Sequence, residues 1–233
     1  MGRRLRSPHR SRSRGRTPWL PLVAALVSVV VASCTVRPIG WEPSAGTGSG
    51  DNGGGVFDAK AYVTSIWSSK VLPTFDAKSV DAATLIAALA ADPATAEKQY
   101  GTQAADGGPY SFMIKGSGKV LEAGADGLAV DLAPPDGKAD VTINTGPVIL
   151  GTALRDAVGF IKFGDFTNQV DYAQVSTEMK NEVKTTVLAS FDATKAVGKT
   201  VDFEGALALS DTTSITAASI VIVPVRLTVG SGQ

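Results

Sequence analysis

Apolar residues recur at helical spacing in the first part of the chain that has a regular pattern. Asp58 can cap a helix, and Pro73 is predicted to end it. Ser79 opens a second helical pattern and Asp92 a third. The apolar positions of the first helix lie three and four residues apart, at Ala59, Val63, Ile66 and Trp67. The pattern therefore predicts a helical segment over residues 58–101.

From Tyr110 onward the period of the pattern changes to two. Apolar residues alternate with polar or small ones at Leu128, Val130, Leu132, Val141 and Ile143. A one-sided helix is predicted near residues 172–190, and alternation then resumes over 201–209 and 221–229. Pro224 interrupts the last run, which predicts an edge strand or a bulge at that position.

The order of these elements is three strands, one helix and two strands. This is the order of the five-stranded OB barrel, in which the helix between the third and fourth strands covers one end. We predict an α+β fold with a small five-stranded OB-like barrel over residues 109–229, preceded by a helical extension over 58–101, in a single domain over 58–233. The alternative is a helix-on-sheet α+β sandwich, because element order alone does not establish closure.

The first 33 residues have the three parts of a lipoprotein signal peptide. An arginine-rich start is followed by an apolar run from Trp19 to Val31 and by small residues before Cys34. That run is shorter than the roughly 20 residues needed to cross a bilayer. We predict a signal peptide over residues 1–33, acylation of Cys34 by chains such as palmitate, and a flexible glycine- and serine-rich tether over 34–57. The protein is then extracytoplasmic, on the periplasmic face or the outer surface.

Without this leader, the mature chain differs from the full sequence in its net charge and in the reactive residue types that it contains. The mature part carries 15 basic and 22 acidic side chains, which disfavours nucleic acid as a partner. The single histidine, His9, leaves with the leader, and acylation consumes the thiol of the single cysteine. Serine-histidine-acid triads, cysteine nucleophiles and histidine-bound metals are thereby excluded. We expect no cofactor and favour a protein that is not an enzyme.

The densest cluster of polar and aromatic residues lies between Gly146 and Gln169. The candidate ligand-binding residues of this run are Arg155, Asp156, Asp165, Asn168 and Gln169. A planar guanidinium and paired amide groups suit a polar solute such as a sugar. Alternatively, Arg155 pairs with Asp156 or Asp165 and the amides cap the helix that follows.

A weak candidate cation site lies around Gly137. Asp131, Asp136 and Asp140 could supply oxygen ligands to calcium. The spacing of a calcium-binding loop is absent, and Pro134 and Pro135 occupy two of the intervening positions. A hairpin turn with solvated aspartates is the favoured interpretation, and no metal is predicted.

Several segments together are typical of one known family: Thr35–Ile39 after Cys34, the helix with Tyr62, Ile66, Trp67 and Lys70–Pro73, and the runs Gly146–Asp156, Phe163–Gln169 and Val223–Leu227. In these segments the chain resembles the predicted periplasmic lipoproteins built from a domain of unknown function. Members of this family often look like neighbours of sugar-type ABC transporter genes. The resemblance implies an accessory role in solute uptake, with a sugar or a transporter component as partner.

Three functions are therefore open. The leading one is a membrane-anchored, non-enzymatic accessory binding protein linked to solute uptake. The first alternative is a structural or assembly module of the cell envelope that acts through protein contacts. The second is a carboxylate-dependent hydrolase of sugars or wall polymers, which requires two acids about 5–10 Å apart in a cleft.

The prediction of acylation is tested at Cys34. Mass spectrometry of the membrane-extracted protein should find an N-terminus at residue 34 carrying acyl chains. Cys34→Ser should abolish this modification and move the protein out of the membrane fraction, because the apolar leader is too short to anchor it. An intact leader, or an unmodified thiol on membrane-bound protein, would contradict the prediction.

Overall fold

The computed structural model describes residues 57–230. The signal peptide, Cys34 and residues 35–56 of the predicted tether lie outside the described residues. Within the described part, none of the helices is both long enough and apolar enough to cross a membrane.

The helical segment begins with α1 (Ala59–Ile66), which continues through a π-helical turn (Trp67–Val71) into α2 (Leu72–Lys78). The Asp58 carboxylate accepts a hydrogen bond from the Ala61 N–H at 2.9 Å, as expected of a cap. Pro73 does not end the helix, so that prediction is wrong. It lies in the first turn of α2, directly after the register change, where a missing N–H is tolerated.

Two further helices follow, α3 (Ala82–Ala91) and α4 (Pro93–Tyr100). Asp81 caps α3 by accepting from Thr84 N at 2.9 Å, and Asp92 caps α4 by accepting from Thr95 N at 3.2 Å. The helix after Ser79 therefore starts later than predicted. Its first candidate residues are extended, because Val80 and Asp81 pair with a strand of the sheet.

The sheet has seven strands, not the predicted five. They are β1 (Val80–Asp81), β2 (Gly101–Gln103), β3 (Tyr110–Ala123), β4 (Gly127–Leu132), β5 (Val141–Asn144), β6 (Thr200–Leu209) and β7 (Val221–Val229). The two additional strands, β1 and β2, both pair with β3. Strands of two or three residues are too short to show an alternating pattern, so the sequence did not reveal them.

The five longer strands pair in a cycle. The path runs β3–β4–β5–β7–β6, and β6 pairs again with β3. All neighbours in this cycle are antiparallel except β5 and β7, which are parallel. The register between β6 and β7 shifts between Glu204 and Gly205, opposite Pro224. The proline thus lies at the irregularity that the interrupted pattern predicted.

Alternation of side chains divides the core into two clusters on opposite faces of the strands. The inner cluster contains Phe112, Ile114, Val120, Leu128, Val130, Val141, Ile143, Val201, Phe203, Leu207 and Ile222. Leu85 and Leu89 of α3 pack against this inner cluster. The outer cluster contains Met113, Ala206, Val223 and Val225, together with Val63, Val71, Phe75, Ala153, Leu154, Val175, Met179 and Val183.

The helix predicted near residues 172–190 is α6 (Gln169–Val183), which is followed by a π-helical turn (Lys184–Leu188). It was expected to cover one end of a barrel, but its stripe of Val175, Met179 and Val183 packs in the outer cluster, with α1 and the short helix α5 (Ala153–Ala157). The apolar outer row at Met113 and Ala206 provides the matching surface, while α3 occupies the inner side.

The inner cluster should dominate stability. Phe112→Ala should lower the free energy of unfolding by about 3–5 kcal/mol, because the ring is fully buried and leaves a cavity. The matched substitution at an exposed apolar position, Val197→Ala, should change it by less than about 0.5 kcal/mol. Denaturant unfolding followed by circular dichroism measures both, and equal effects would contradict the two-cluster core.

Candidate functional site

Arg155 and Asp156 lie next to each other in α5, and both side chains are buried. Arg155 donates from Nε to Asp156 Oδ1 at 2.7 Å, and its Nη2 lies 2.7 Å from the same oxygen. The hydroxyl of Thr152 donates to the other carboxylate oxygen. The ion pair offered as the alternative reading of Arg155 is therefore present.

Tyr172 of α6 completes the surroundings of this pair. The guanidinium carbon of Arg155 lies 3.6 Å from the centre of the Tyr172 ring, and Nη1 donates to the Tyr172 carbonyl at 3.2 Å. Burial, together with the charge of Asp156, raises the pKa of Tyr172 even though Arg155 acts in the opposite direction. The guanidinium thus links α5 to α6 inside the protein.

The other three candidates of this run lie at the start of α6. Asp165 accepts from Lys162 N at 3.1 Å, in the 3-10 turn Phe163–Asp165. Asn168 caps α6 by accepting from Asp171 N at 2.9 Å, and Gln169 is the exposed first residue of that helix. The structure therefore brings Arg155 and Asp156 together, and it leaves Asp165, Asn168 and Gln169 on the surface.

The three aspartates around Gly137 have backbone partners. Asp131 is buried and accepts from Asp136 N at 3.1 Å and from Gly137 N at 2.7 Å. Asp140 accepts from Leu132 N at 2.8 Å. Residues 57–230 contain no group of three or more carboxylate, histidine or cysteine side chains placed to hold a metal. These carboxylates stabilise the connection between β4 and β5.

A different cluster of polar residues lines a cleft of about 510 Å³ on the outer face of β3, β6 and β7. We call it the sheet-face cleft. Its side chains form two cross-strand rows, because the residues are register partners: Lys115, Glu204 and Arg226 in the first row, and Ser117, Asp202 and Thr228 in the second. Asp76 of α2 overhangs the first row.

The cleft begins where the outer face changes from apolar to polar. The neighbouring row, Met113, Ala206 and Val223, is buried in the outer cluster. A Cβ at Gly205 would lie 2.3 Å from Val223 O, so glycine allows β6 and β7 to approach at the bulge. Within residues 57–230, Asp76 is the one helix residue that lines the cleft, and the two polar rows are open beside it.

Arg226 is the centre of the cleft. It binds Asp76 through two hydrogen bonds, Nη1 to Oδ1 at 2.6 Å and Nη2 to Oδ2 at 3.1 Å, and Nη1 also donates to Glu204. Glu204 is buried, whereas the Arg226 side chain is 41% exposed. Partial burial lowers the pKa of Arg226, but the carboxylates of Asp76 and Glu204 outweigh it and raise that pKa. The two carboxylates fix the plane of the guanidinium.

Several hydrogen-bonding groups of the cleft have no protein partner in the described part of the chain. The Nε–H and the second Nη2–H of Arg226 are among them. Among residues 57–230, neither Lys115 nor Asp202 forms an ion pair. With the hydroxyls of Ser117 and Thr228, the cleft offers both donors and acceptors, and its five charged side chains sum to one negative charge. Such a set can bind a polar molecule in a fixed orientation.

The sequence analysis did not identify this cleft. Arg226 is one of three arginines outside the leader, and it had been used only as part of the resemblance. The sequence does show that each of these two strands has a polar face, because Asp202 and Glu204 alternate with apolar residues along β6, as do Arg226 and Thr228 along β7. Their meeting in two rows required the strand register.

The buried pair is expected to be structural. Asp156→Asn should lower the free energy of unfolding by about 3–5 kcal/mol, because it leaves the guanidinium of Arg155 buried without a counter-charge. The control is Lys195→Met, which breaks the exposed 2.9 Å pair with Asp192 and should have no measurable effect. Thermal and denaturant unfolding of both variants decide between these outcomes, and equal stabilities would refute the structural role.

Comparisons with known proteins agree with this architecture. The chain matches the model of the family described as predicted periplasmic lipoprotein (DUF2291) over residues 24–228. It matches none of the functionally curated proteins. A solved OB-fold protein from Thermotoga maritima MSB8 is 23% identical, with a TM-score of 0.66 over 76% of this chain and 100% of that chain, a likeness that shows the fold alone. The chain belongs to the DUF2291 family of predicted periplasmic lipoproteins.

Proposed function

We propose that this protein is a lipid-anchored, non-enzymatic accessory protein that binds a neutral polyhydroxylated solute, a sugar or polyol, in the sheet-face cleft. The observation that carries the proposal is the arrangement around Arg226. Two carboxylates hold its guanidinium, and N–H groups without a protein partner lie in the same cleft as Lys115 and Asp202. A fixed donor beside acceptors is how sites orient small polar ligands.

The chemistry of the cleft favours hydroxyl groups as ligands. A sugar hydroxyl donates one hydrogen bond and accepts others, so it can use Asp202 as acceptor and Arg226 or Lys115 as donor. Two cations and three carboxylates nearly cancel, which disfavours a phosphate or another multiply charged anion. A volume of about 510 Å³ lies within the range of small-molecule sites, roughly 300–1,000 Å³.

The family supports the location of this activity. A predicted periplasmic lipoprotein is expected to carry its lipid at Cys34 and to lie outside the cytoplasmic membrane. A solute-binding protein fixed there could deliver a sugar to an ABC transporter, the role that the resemblance to its family implies. The buried cluster of Arg155 and Asp156 is the weaker candidate for the ligand, because its guanidinium already has partners.

A hydrolase is supported by one observation. Asp202 and Glu204 are two residues apart on the same face of β6, about 7 Å along the strand. This spacing fits paired carboxylates that cleave glycosides. However, Glu204 is buried and already accepts a hydrogen bond from Arg226, so that of the two carboxylates Asp202 is the one exposed to the cleft. Binding is therefore proposed ahead of hydrolysis, and an assembly role stands as the alternative if no solute binds.

Binding is tested by isothermal titration calorimetry of the detergent-extracted protein with glucose, ribose, maltose, glycerol and myo-inositol. We expect heat with at least one of these probes. Asp202→Asn and Lys115→Ala should each weaken that binding about tenfold or more, because each removes a charged hydrogen-bonding group from the cleft. Both side chains are exposed, so folding should be unaffected.

Two controls make the result specific to the cleft. Asp192→Asn changes an exposed carboxylate elsewhere and should leave the affinity unchanged. Arg155→Met tests the competing location. Loss of binding in this variant while circular dichroism shows it folded, with Asp202→Asn unaffected, would move the site to the buried cluster and refute the proposal, as would flat titrations with every probe. Release of reducing sugar from maltose would favour the hydrolase.

A further inference from the structure

We propose that a surface around the first half of α6 rests on the membrane interface, so that the anchored protein has a fixed orientation on the lipid. This surface, the aromatic face, is defined by Phe57, Tyr62, Phe163, Phe166 and Tyr172, with the exposed Leu150 and Val170. The inference rests on the lipid anchor of the proposed function and does not depend on the solute.

Five aromatic rings form one connected string on this side of the protein. Phe57 lies 5.4 Å from Phe166 between ring centres, and Tyr62 lies 5.7 Å from Phe166. Tyr172 follows at 5.5 Å from Phe166 and contacts Phe163 at 5.7 Å. The string thus runs from the start of α1 across α6 to the 3-10 turn that precedes it.

Large apolar side chains on the same elements and on the adjoining loop are exposed to solvent. Phe163 is 54% exposed, Val170 63% and Leu150 77%. Val170 lies one turn before Gln174, which lines the same surface depression as Phe57. Leu150 precedes Gly151, whose carbonyl accepts hydrogen bonds from Ser176 and Lys180 one and two turns beyond Tyr172. Such a grouping of exposed apolar residues marks an interaction surface.

The path of the chain indicates which partner this surface meets. Phe57 belongs to the aromatic string and is also the residue at which the chain from Cys34 joins the described domain. In the sequence, 22 residues separate Cys34 from Phe57. Acyl chains on Cys34 would therefore draw the domain to the bilayer by the end of the chain that carries Phe57.

The residue types suit the boundary between lipid head groups and acyl chains. Phenylalanine, leucine and valine can bury apolar area there, and tyrosine keeps its hydroxyl in the polar layer. The charged side chains around the face are mixed, with Lys60, Lys162 and Lys180 near Asp58, Asp165, Asp171 and Glu178. Docking should thus be driven by apolar burial and should not require anionic lipid.

A single-thiol fluorescence experiment tests this orientation. Because acylation consumes the Cys34 thiol, a cysteine introduced into the acylated chain is the one site for a polarity-sensitive dye. Phe163→Cys and Leu150→Cys report on the aromatic face, and Val197→Cys and Val221→Cys are controls at exposed apolar positions elsewhere. The labelled chains are reconstituted into phosphatidylcholine vesicles that contain a doxyl-labelled lipid.

We expect the dye at residues 163 and 150 to be quenched at least about twofold more than the dye at 197 and 221, with a blue-shifted emission. Adding phosphatidylglycerol should not change this ratio. Equal quenching at all four positions would overturn the proposal, as would a strict need for anionic lipid. A dimer in sedimentation velocity that Phe163→Ser dissociates would assign the face to a second copy instead.

Failure of the anchor can be told apart from failure of the orientation. An unacylated Cys34 would take up a second dye, which mass spectrometry detects before reconstitution. In that case the Cys34→Ser chain is expressed from residue 34 with an N-terminal histidine tag and held on the same vesicles by a nickel-chelating lipid, so that residues 163 and 197 are compared at equal attachment. Equal quenching at these two residues would then count against the face.

Discussion

The structure depends on the double pairing of β3. This 14-residue strand pairs with β6 over residues 110–119 and with β4 over 118–123, which joins the ends of the five-strand path. Because side chains alternate along a strand, closure gives every strand an inner face and an outer face. Phe112 and Ile114 enter the inner cluster, while Met113 between them packs under the helices. The outer face is thus divided into a part that helices cover and a part that remains open.

That division decides what the two arginines of the domain do. Arg155 lies under α6, where the buried Asp156 and the Tyr172 ring surround its guanidinium. Arg226 lies beside the last turn of α2, where Asp76 and Glu204 fix the guanidinium while part of it faces the cleft. The guanidinium of Arg155 therefore links two helices, whereas that of Arg226 is a candidate binding group. The two arginines differ because a helix covers the first and leaves the second partly exposed.

The two proposed surfaces are connected by a single helical layer. Tyr62 lies near the start of α1, and Asp76 lies in α2 near its end. At 1.5 Å per residue, about 20 Å of helix separates them. With the aromatic face on the lipid, the sheet-face cleft would therefore lie at the other end of this helical layer. A transporter or a diffusing solute could then reach it without displacing the anchor.

Some features of this protein follow from the sequence alone because they depend on neighbouring residues. These include the caps at Asp58 and Asp92, the alternating strands and the proline at the bulge. These local features predicted the α+β class, whereas the family was predicted from the resemblance of whole segments. The extra strands β1 and β2, the passage of the helix through Pro73 and the outer position of α6 were decided by contacts between distant segments. The same holds for the cleft, since Asp76 and Arg226 are 150 residues apart and only strand register and helix packing bring them together.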